Sequence, residues 1–309
     1  MLLTTPATST TPALLAHTTD LNLVIRHVLA GFGHGIHVGR ERGAGVEFSE
    51  YRAYSPGDEW RRVDWKLLAR ADRYFVREAE RDSHVAVWLW LDASASMAEP
   101  SRSMAGLDKL QYARVVLACV AAIAQRQGDA FGLIVCGAER VQFTPAARGA
   151  RQLQRVLAQL ARSAAAGRLP PAGTLRASLH FARSPSLIFA VSDFLDWPSA
   201  QSEALLRLRH TGHDVRALCL QTDAECDASF AAGSVWRDPE GALGQGSQHD
   251  AGLFRFEQQA RSGYLEKRAA HFARMTGDLR RADIRHLAAR IEQALPSVLR
   301  AWLRQAGAT

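Results

Sequence analysis

The stretch WLWLDASASM, residues 88–97, ends an apolar run in Asp92, Ser94 and Ser96. A carboxylate and two hydroxyls at alternate positions are hard oxygen donors. A hard divalent cation such as Mg²⁺ takes about six oxygens at about 2.0–2.1 Å and keeps several waters among them. Three side chains supply only part of that shell, so further donors must come from neighbouring strand ends. Two candidates are Thr174, in PPAGTL ahead of a helix, and Asp193, which ends SLIFAVSD as Asp92 ends HVAVWLWLD. Asp196 is a rival to Asp193, but it lies past the strand end, where it suits a cap for the helix starting near Pro198.

Such donors need a scaffold that gathers strand ends. From residue 83 the chain alternates apolar strands with helices. HVAVWLWLD precedes a helix over about 107–127, the strand pair AFGLIVCG and ERVQF, and a helix over about 150–165. A short helix after Thr174, the strand SLIFAVSD, a helix over about 199–210 and the strand DVRALCLQ follow. This rhythm specifies an α/β fold, a doubly wound and mainly parallel sheet with helices on both faces. Ligands in that architecture gather beyond the carboxyl ends of the strands.

The fold is assigned to residues 83–223, with additions at both ends. Residues 1–18, rich in Thr, Ala and Pro, read as a flexible tail. Residues 19–82 hold the helically spaced LNLVIRHVLAGF, a glycine-rich loop and a small β-containing extension around the turn SPGD. Residues 224–309 form a partly helical extension, with a strand SVWRD, a turn DPEG and helices expected over 254–275 and 291–304.

Composition narrows the function. The 309 residues are 47% hydrophobic and 22% charged, as in an ordinary globular protein. Four cysteines lack CxxC spacing, and Cys119, Cys136 and Cys219 sit in apolar runs that suit core thiols. Lys and Arg number 38 against 31 Asp and Glu, a net charge of +7, but the arginines are interleaved with acids. That pattern fits solvated faces and ion pairs rather than nucleic-acid binding. The longest apolar candidate, 115–124, is half the roughly 20 residues of a membrane span, and MLLTTPATSTTPALL lacks the layout of a signal peptide. A cytoplasmic protein without a membrane span is the expectation.

Catalytic motifs point nowhere. GFGHGIHVGRERGAG has neither the preceding strand nor the following helix of a dinucleotide fingerprint, and P-loop and nucleophile-elbow patterns are missing. None of the eleven histidines falls in a triad or metal-ligand spacing. A phosphoryl-accepting aspartate would want a second carboxylate two residues on, where Ser94 stands. A non-enzymatic protein is therefore expected. The alternatives are a metal-assisted phosphoesterase-like enzyme and a structural domain whose serines cap a helix without any ion.

DASAS after a buried strand, then GT, then VSD, resembles the metal-ion-dependent adhesion site of von Willebrand factor A domains. The resemblance implies that Asp92, Ser94, Ser96, Thr174 and Asp193 hold Mg²⁺, with Mn²⁺ as an alternative. It also implies a partner carboxylate that completes the shell.

The upstream segment GVEFSEYRAYSPGDEWRRVDWKLLARADRYFVREAE adds a second resemblance. Glu47-Phe48, Arg52, Tyr54, Pro56-Gly57-Asp58, Arg61, Asp64-Trp65 and Ala69-Arg70 carry it, with SDF at 192–194 and DPEG at 238–241. Over residues 30–245 the chain resembles the bacterial domain-of-unknown-function family fifty-eight. Members are commonly encoded beside MoxR-type AAA+ ATPases, which implies an adaptor or co-chaperone acting with such an ATPase on an unknown client. Many relatives begin with two membrane spans, which this sequence lacks. For Arg52, Asp58, Arg61, Asp64, Trp65 and Arg70 two roles stand open. They are a charge-assisted network fastening the N-terminal segment to the A-like domain, or a partner-docking surface.

Overall fold

The computed structural model describes residues 20–30, 51–53, 74–77, 85–179, 185–230, 235–237, 253–255 and 260–304. The chain divides into two compact units, Arg40–His84 and the remainder, Met1–Gly39 with Val85–Thr309. In the smaller unit, β1 (Tyr51–Ala53) pairs antiparallel with β2 (Phe75–Arg77), setting Arg52 opposite Val76.

Among its described residues the larger unit holds α1 (Leu21–Ala30), followed by β3 (Ala86–Asp92), α2 (Lys109–Arg126), β4 (Phe131–Gly137) and β5 (Arg140–Ala147). Next come α3 (Ala150–Arg162), α4 (Ala172–Ser178), β6 (Ser186–Ser192), α5 (Ala200–His210), β7 (Asp214–Gln221) and α6 (Asp223–Asp227). The short pair β8 (Val235–Arg237) and β9 (Leu253–Arg255) precedes α7 (Ala260–Arg281), β10 (Arg285–Arg290) and α8 (Leu295–Arg304).

Among the described residues, six strands form one sheet in the order β10-β7-β6-β3-β4-β5, parallel throughout except for β5. The chain enters at the centre on β3, winds outward through β4 and β5, then crosses back to β6 and winds the other way. The doubly wound α/β architecture expected from the sequence is thus the observed one. Its topological switch point lies between β3 and β6, and there the connections leave the carboxyl ends in opposite directions and open a crevice.

Side-chain alternation explains why both faces are covered. Val87, Leu89 and Leu91 of β3 join the core beneath α1, α2, α3 and α8, while Trp88 and Trp90 join the core beneath α4, α5 and α7. A strand buried on both faces has no polar side to show, hence the unbroken apolar run that opens this domain. Helix α2 is enclosed on nearly every side: from Lys109 to Ala124 all but Arg114 are buried. Helices α1 and α3 contribute to the same core as α2. Asp108 caps α2, its side chain accepting from Gln111 N–H at 2.6 Å.

The C-terminal part departs from the sequence expectation. Phe254 belongs to β9, paired with Trp236, and the helix begins only at Ala260. β10, which sequence reading did not anticipate, extends the main sheet beside β7. α8 then packs back onto the core, with the Trp302 ring edge-on to Phe189 at 5.0 Å. Among the described residues no helix is long and apolar enough to cross a membrane.

Candidate functional site

Asp92 is the last residue of β3, and Asp193 follows the last residue of β6. The two strands are neighbours, with Leu91 opposite Val191. Parallel pairing therefore delivers both carboxylates to the mouth of the switch-point crevice, and both are buried.

The Asp92 carboxylate is fixed from two sides. Ser94 N–H donates to Oδ1 at 2.8 Å, and the Ser192 hydroxyl donates to Oδ2 at 2.5 Å. Ser192 Oγ in turn accepts from Phe194 N–H at 2.9 Å. Past Ser94 the chain turns into a short 3-10 segment, Ala95–Ala98, which carries Ser96. Ser94 Oγ and Ser96 Oγ lie 3.1 Å apart. Adjacent ligands of an octahedron with bonds of about 2.0–2.1 Å stand about 3 Å apart, so the pair suits neighbouring positions on one cation. Ser94 is buried and Ser96 half-buried, so the donors open outward on the Ser96 side.

Backbone hydrogen bonds set the loop. Ala93 N–H donates to Cys136 O at 2.7 Å, Ala166 N–H to Ala93 O at 3.0 Å, and Ala95 N–H to Gly167 O at 2.9 Å. The segment leading into α4 is thereby stitched along the Asp92 loop. Gly137 makes the approach feasible: a Cβ there would sit 2.4 Å from Ala93 O.

Of the five residues expected to hold a metal, Asp92, Ser94, Ser96 and Asp193 lie at the carboxyl edge of β3 and β6. Thr174 stands exposed in the first turn of α4, beyond the stitched segment. Asp196 is not the helix cap; Ser199 is, in a capping box with Ser202, because the Ser199 backbone has the extended conformation a cap requires. Of the N-terminal signature, the backbone of Arg52 lies in β1, while Asp58, Arg61, Asp64, Trp65 and Arg70 lie outside the described residues.

Three site residues went unnoticed in the sequence: Ser192, Lys109 and Glu225. Lys109, the first residue of α2, is wholly buried, and its ammonium donates to Asp193 Oδ2 at 2.9 Å and to Glu225 Oε1 at 2.7 Å. Glu225 is oriented by a capping box at the start of α6, where Thr222 N–H donates to Oε2 at 2.8 Å. The pattern T-x-x-E directly after the strand DVRALCLQ was its signal.

Electrostatics separate the two aspartates. Burial, and next the charge of Asp193, push the Asp92 carboxyl up from 3.8 to about 7, against the lowering effect of the Ser192 and Ser94 hydrogen bonds. Burial alone would lower the Lys109 pKa, but the charges of Asp193 and Glu225 outweigh it and hold Lys109 above the usual lysine value. Asp193 thus has a fixed cationic partner, whereas among the described residues Asp92 accepts from the neutral donors Ser94 and Ser192. The buried set of Asp92, Asp193, Glu225 and Lys109 carries three carboxylates against one ammonium, two net negative charges when all are ionised. That imbalance and the hydroxyl spacing fit a hard divalent cation. Among the described residues no three His, Cys, Asp or Glu side chains are grouped to hold a metal by themselves. A cation here would draw on the serine oxygens and water.

The chain is similar to solved structures at low identity. The crystal structure of the conserved hypothetical protein BatB from Bacteroides thetaiotaomicron is 13% identical at a TM-score of 0.44, covering 71% of this chain and 96% of that one. A von Willebrand factor type A structure from Catenulispora acidiphila is 16% identical at a TM-score of 0.34, covering 45% of this chain and 34% of that one. By sequence, the uncharacterized protein Rv1480 of Mycobacterium tuberculosis is 31% identical over 188 residues, 60% of this chain. The match spans 58% of the length of that relative. The model of the family described as "Protein of unknown function DUF58" matches residues 50–271, most of the chain and all of the strand ends that form the site, and the chain belongs to that family.

Proposed function

We propose that this chain is a non-enzymatic protein-interaction module whose contact is made through a divalent cation, Mg²⁺ or Mn²⁺. Asp92, Ser94 and Ser96 would hold the ion, with Asp193 beside it and Thr174 in the first turn of α4 as the expected further donor. The observation that carries this reading is the buried Asp92 carboxylate. It is drawn next to Asp193 at the switch point, with the oxygens of buried Ser94 and half-buried Ser96 3.1 Å apart beside it. Burying an anion beside a second anion is costly unless a cation joins them. A bound ion would supply Lewis acidity toward a carboxylate from a partner, approaching from the side of half-buried Ser96. The resemblance to the adhesion-site motif supports the same assignment. Family resemblance further supports an adaptor or co-chaperone role with a MoxR-type AAA+ ATPase, acting on a client protein.

The test is calorimetric titration of Mg²⁺ and Mn²⁺ into chelator-treated protein and into Asp92→Ala, with circular dichroism to establish that the variant is folded. Saturable binding in the wild type, lost in folded Asp92→Ala, is expected. Equal binding by both would refute the site. The partner arm is a pull-down with the ATPase in Mg²⁺ and in chelator; retention that ignores the metal would sink the metal-mediated contact.

A further inference from the structure

The ammonium of Lys109 stands where sequence reading expects only anions and hydroxyls. Helix formation does not explain it, because a cation in the first turn of a helix opposes the helix dipole. Nor does solubility, since the side chain is 1% exposed. Both of its acceptors are held from elsewhere. Leu195 N–H donates to Asp193 Oδ1 at 3.3 Å, and Thr222 fixes Glu225 through Oε2. The remaining oxygen of each carboxylate faces Lys109 Nζ, so the lysine joins the ends of β6 and β7 to the start of α2.

We infer that Lys109 is a tethered cation that sets the affinity of this site for divalent ions, by neutralising Asp193 and competing with the ion for Asp193 Oδ2. The inference rests on the metal-binding reading above and assigns a positioning residue to it. With Lys109 in place, Asp92, Ser94 and Ser96 are the donors left to the ion, and part of the local negative charge is already matched. The site keeps its form without metal and binds the ion weakly enough to exchange it. Glu99, half-buried outside the buried set, feels it: burial and next the charge of Glu225 push its carboxyl up, against the lowering effect of Lys109 and Arg102, and it is left unchanged in every variant below.

Charge arithmetic gives the test its sign. With every carboxylate ionised, as at pH 8, the buried set holds two net negative charges in the wild type, three in Lys109→Met, one in Glu225→Gln, and two again in the double variant. Mn²⁺ is titrated calorimetrically into all four chelator-treated proteins, and thermal unfolding is recorded with and without the ion. Affinity is expected to rise on the order of tenfold or more in Lys109→Met and to fall by a similar factor in Glu225→Gln. The double variant should return toward the wild type. The thermal shift caused by Mn²⁺ should follow the same order.

A merely structural lysine predicts something else: both single variants would loosen the strand ends and weaken binding together, and that result overturns the inference. If Lys109→Met does not fold, Glu225→Gln and the double variant decide, because only a charge effect makes the double variant bind more tightly than Glu225→Gln. A silent wild type with a binding Lys109→Met would support the inference while overturning occupancy of the site in the wild type. Silence in both, with each folded, would overturn both readings. Normal wild-type binding left unchanged in Lys109→Met would overturn the inference alone.

Discussion

Lys109 Nζ and Asp193 Oδ2 lie 2.9 Å apart, with their side chains 1% and 3% exposed, and Glu225 closes the other side of the same ammonium at 2.7 Å. Three elements far apart in sequence are pinned by one charge. Removing it leaves two buried carboxylates without an ion-pair partner among the described residues, the case in which a buried pair matters most. In metal-free buffer, Lys109→Met is expected to lose about 3–5 kcal/mol of stability. Urea denaturation measures it. A loss of under about 1 kcal/mol, the range of an exposed pair, would show that the ammonium is not enclosed in solution.

Asp92 makes stability depend on pH in the metal-free protein. Its carboxyl holds a proton up to about pH 7 when folded, against an ordinary 3.8. The folded state therefore binds more protons between those values, so this contribution is full below about pH 4 and is lost as pH rises through about 7. The slope is at most about 1.4 kcal/mol per pH unit. Asp92→Asn carries no charge and removes it. Urea midpoints from pH 4 to 8 should diverge, with the variant gaining on the wild type as pH rises; parallel profiles would count against a desolvated Asp92.

Much of this was legible in the sequence, for identifiable reasons. β3 and β6 are buried on both faces, so their apolar runs mark their own ends, and Asp92 and Asp193 stand where the runs stop. Lys109 was hidden because a lysine after a polar loop, at the start of a helix, reads as a solvated charge. Only the adjacency of β6 and β7 in the sheet brings Asp193 and Glu225 to its ammonium. β10 was missed for another reason. RHLAAR alternates weakly and begins and ends in arginine, because a short edge strand is covered less than a central one.

The thiols offer a check on the core that needs no variant. Cys119 and Cys219 are buried, and burial pushes both up to about 12, so little thiolate forms at pH 8 and access is closed. Cys226 is only partly buried, on α6 beside Arg268. Iodoacetamide applied to native protein should label Cys226 first and spare Cys119, Cys136 and Cys219 until denaturant is added. Mass spectrometry of the peptides reads the order. Early labelling of Cys219, which lies on β7 between Asp193 and Gln221, would mean that the site end of the sheet opens readily.

The narrowest fit at the site is between Gly137 and the backbone of Ala93. A methyl group at residue 137 would lie 2.4 Å from Ala93 O and 2.7 Å from its carbonyl carbon, and no flexible side chain can yield in their place. The Asp92 loop must therefore move outward, lengthening the Ala93 N–H to Cys136 O bond and disturbing the Ser94 and Ser96 hydroxyls that follow. Gly137→Ala is expected to lose about 1–3 kcal/mol of stability, as overpacking does, and to weaken Mn²⁺ binding although no proposed ligand is changed. Gly128→Ala is the control. That glycine has φ +77° but open space around it, so its substitution strains only a turn. Calorimetry on the two variants separates the effects. Weak binding in Gly137→Ala with normal binding in Gly128→Ala would show that the loop position governs the site, and normal binding in both would show that the serine oxygens do not hold the ion.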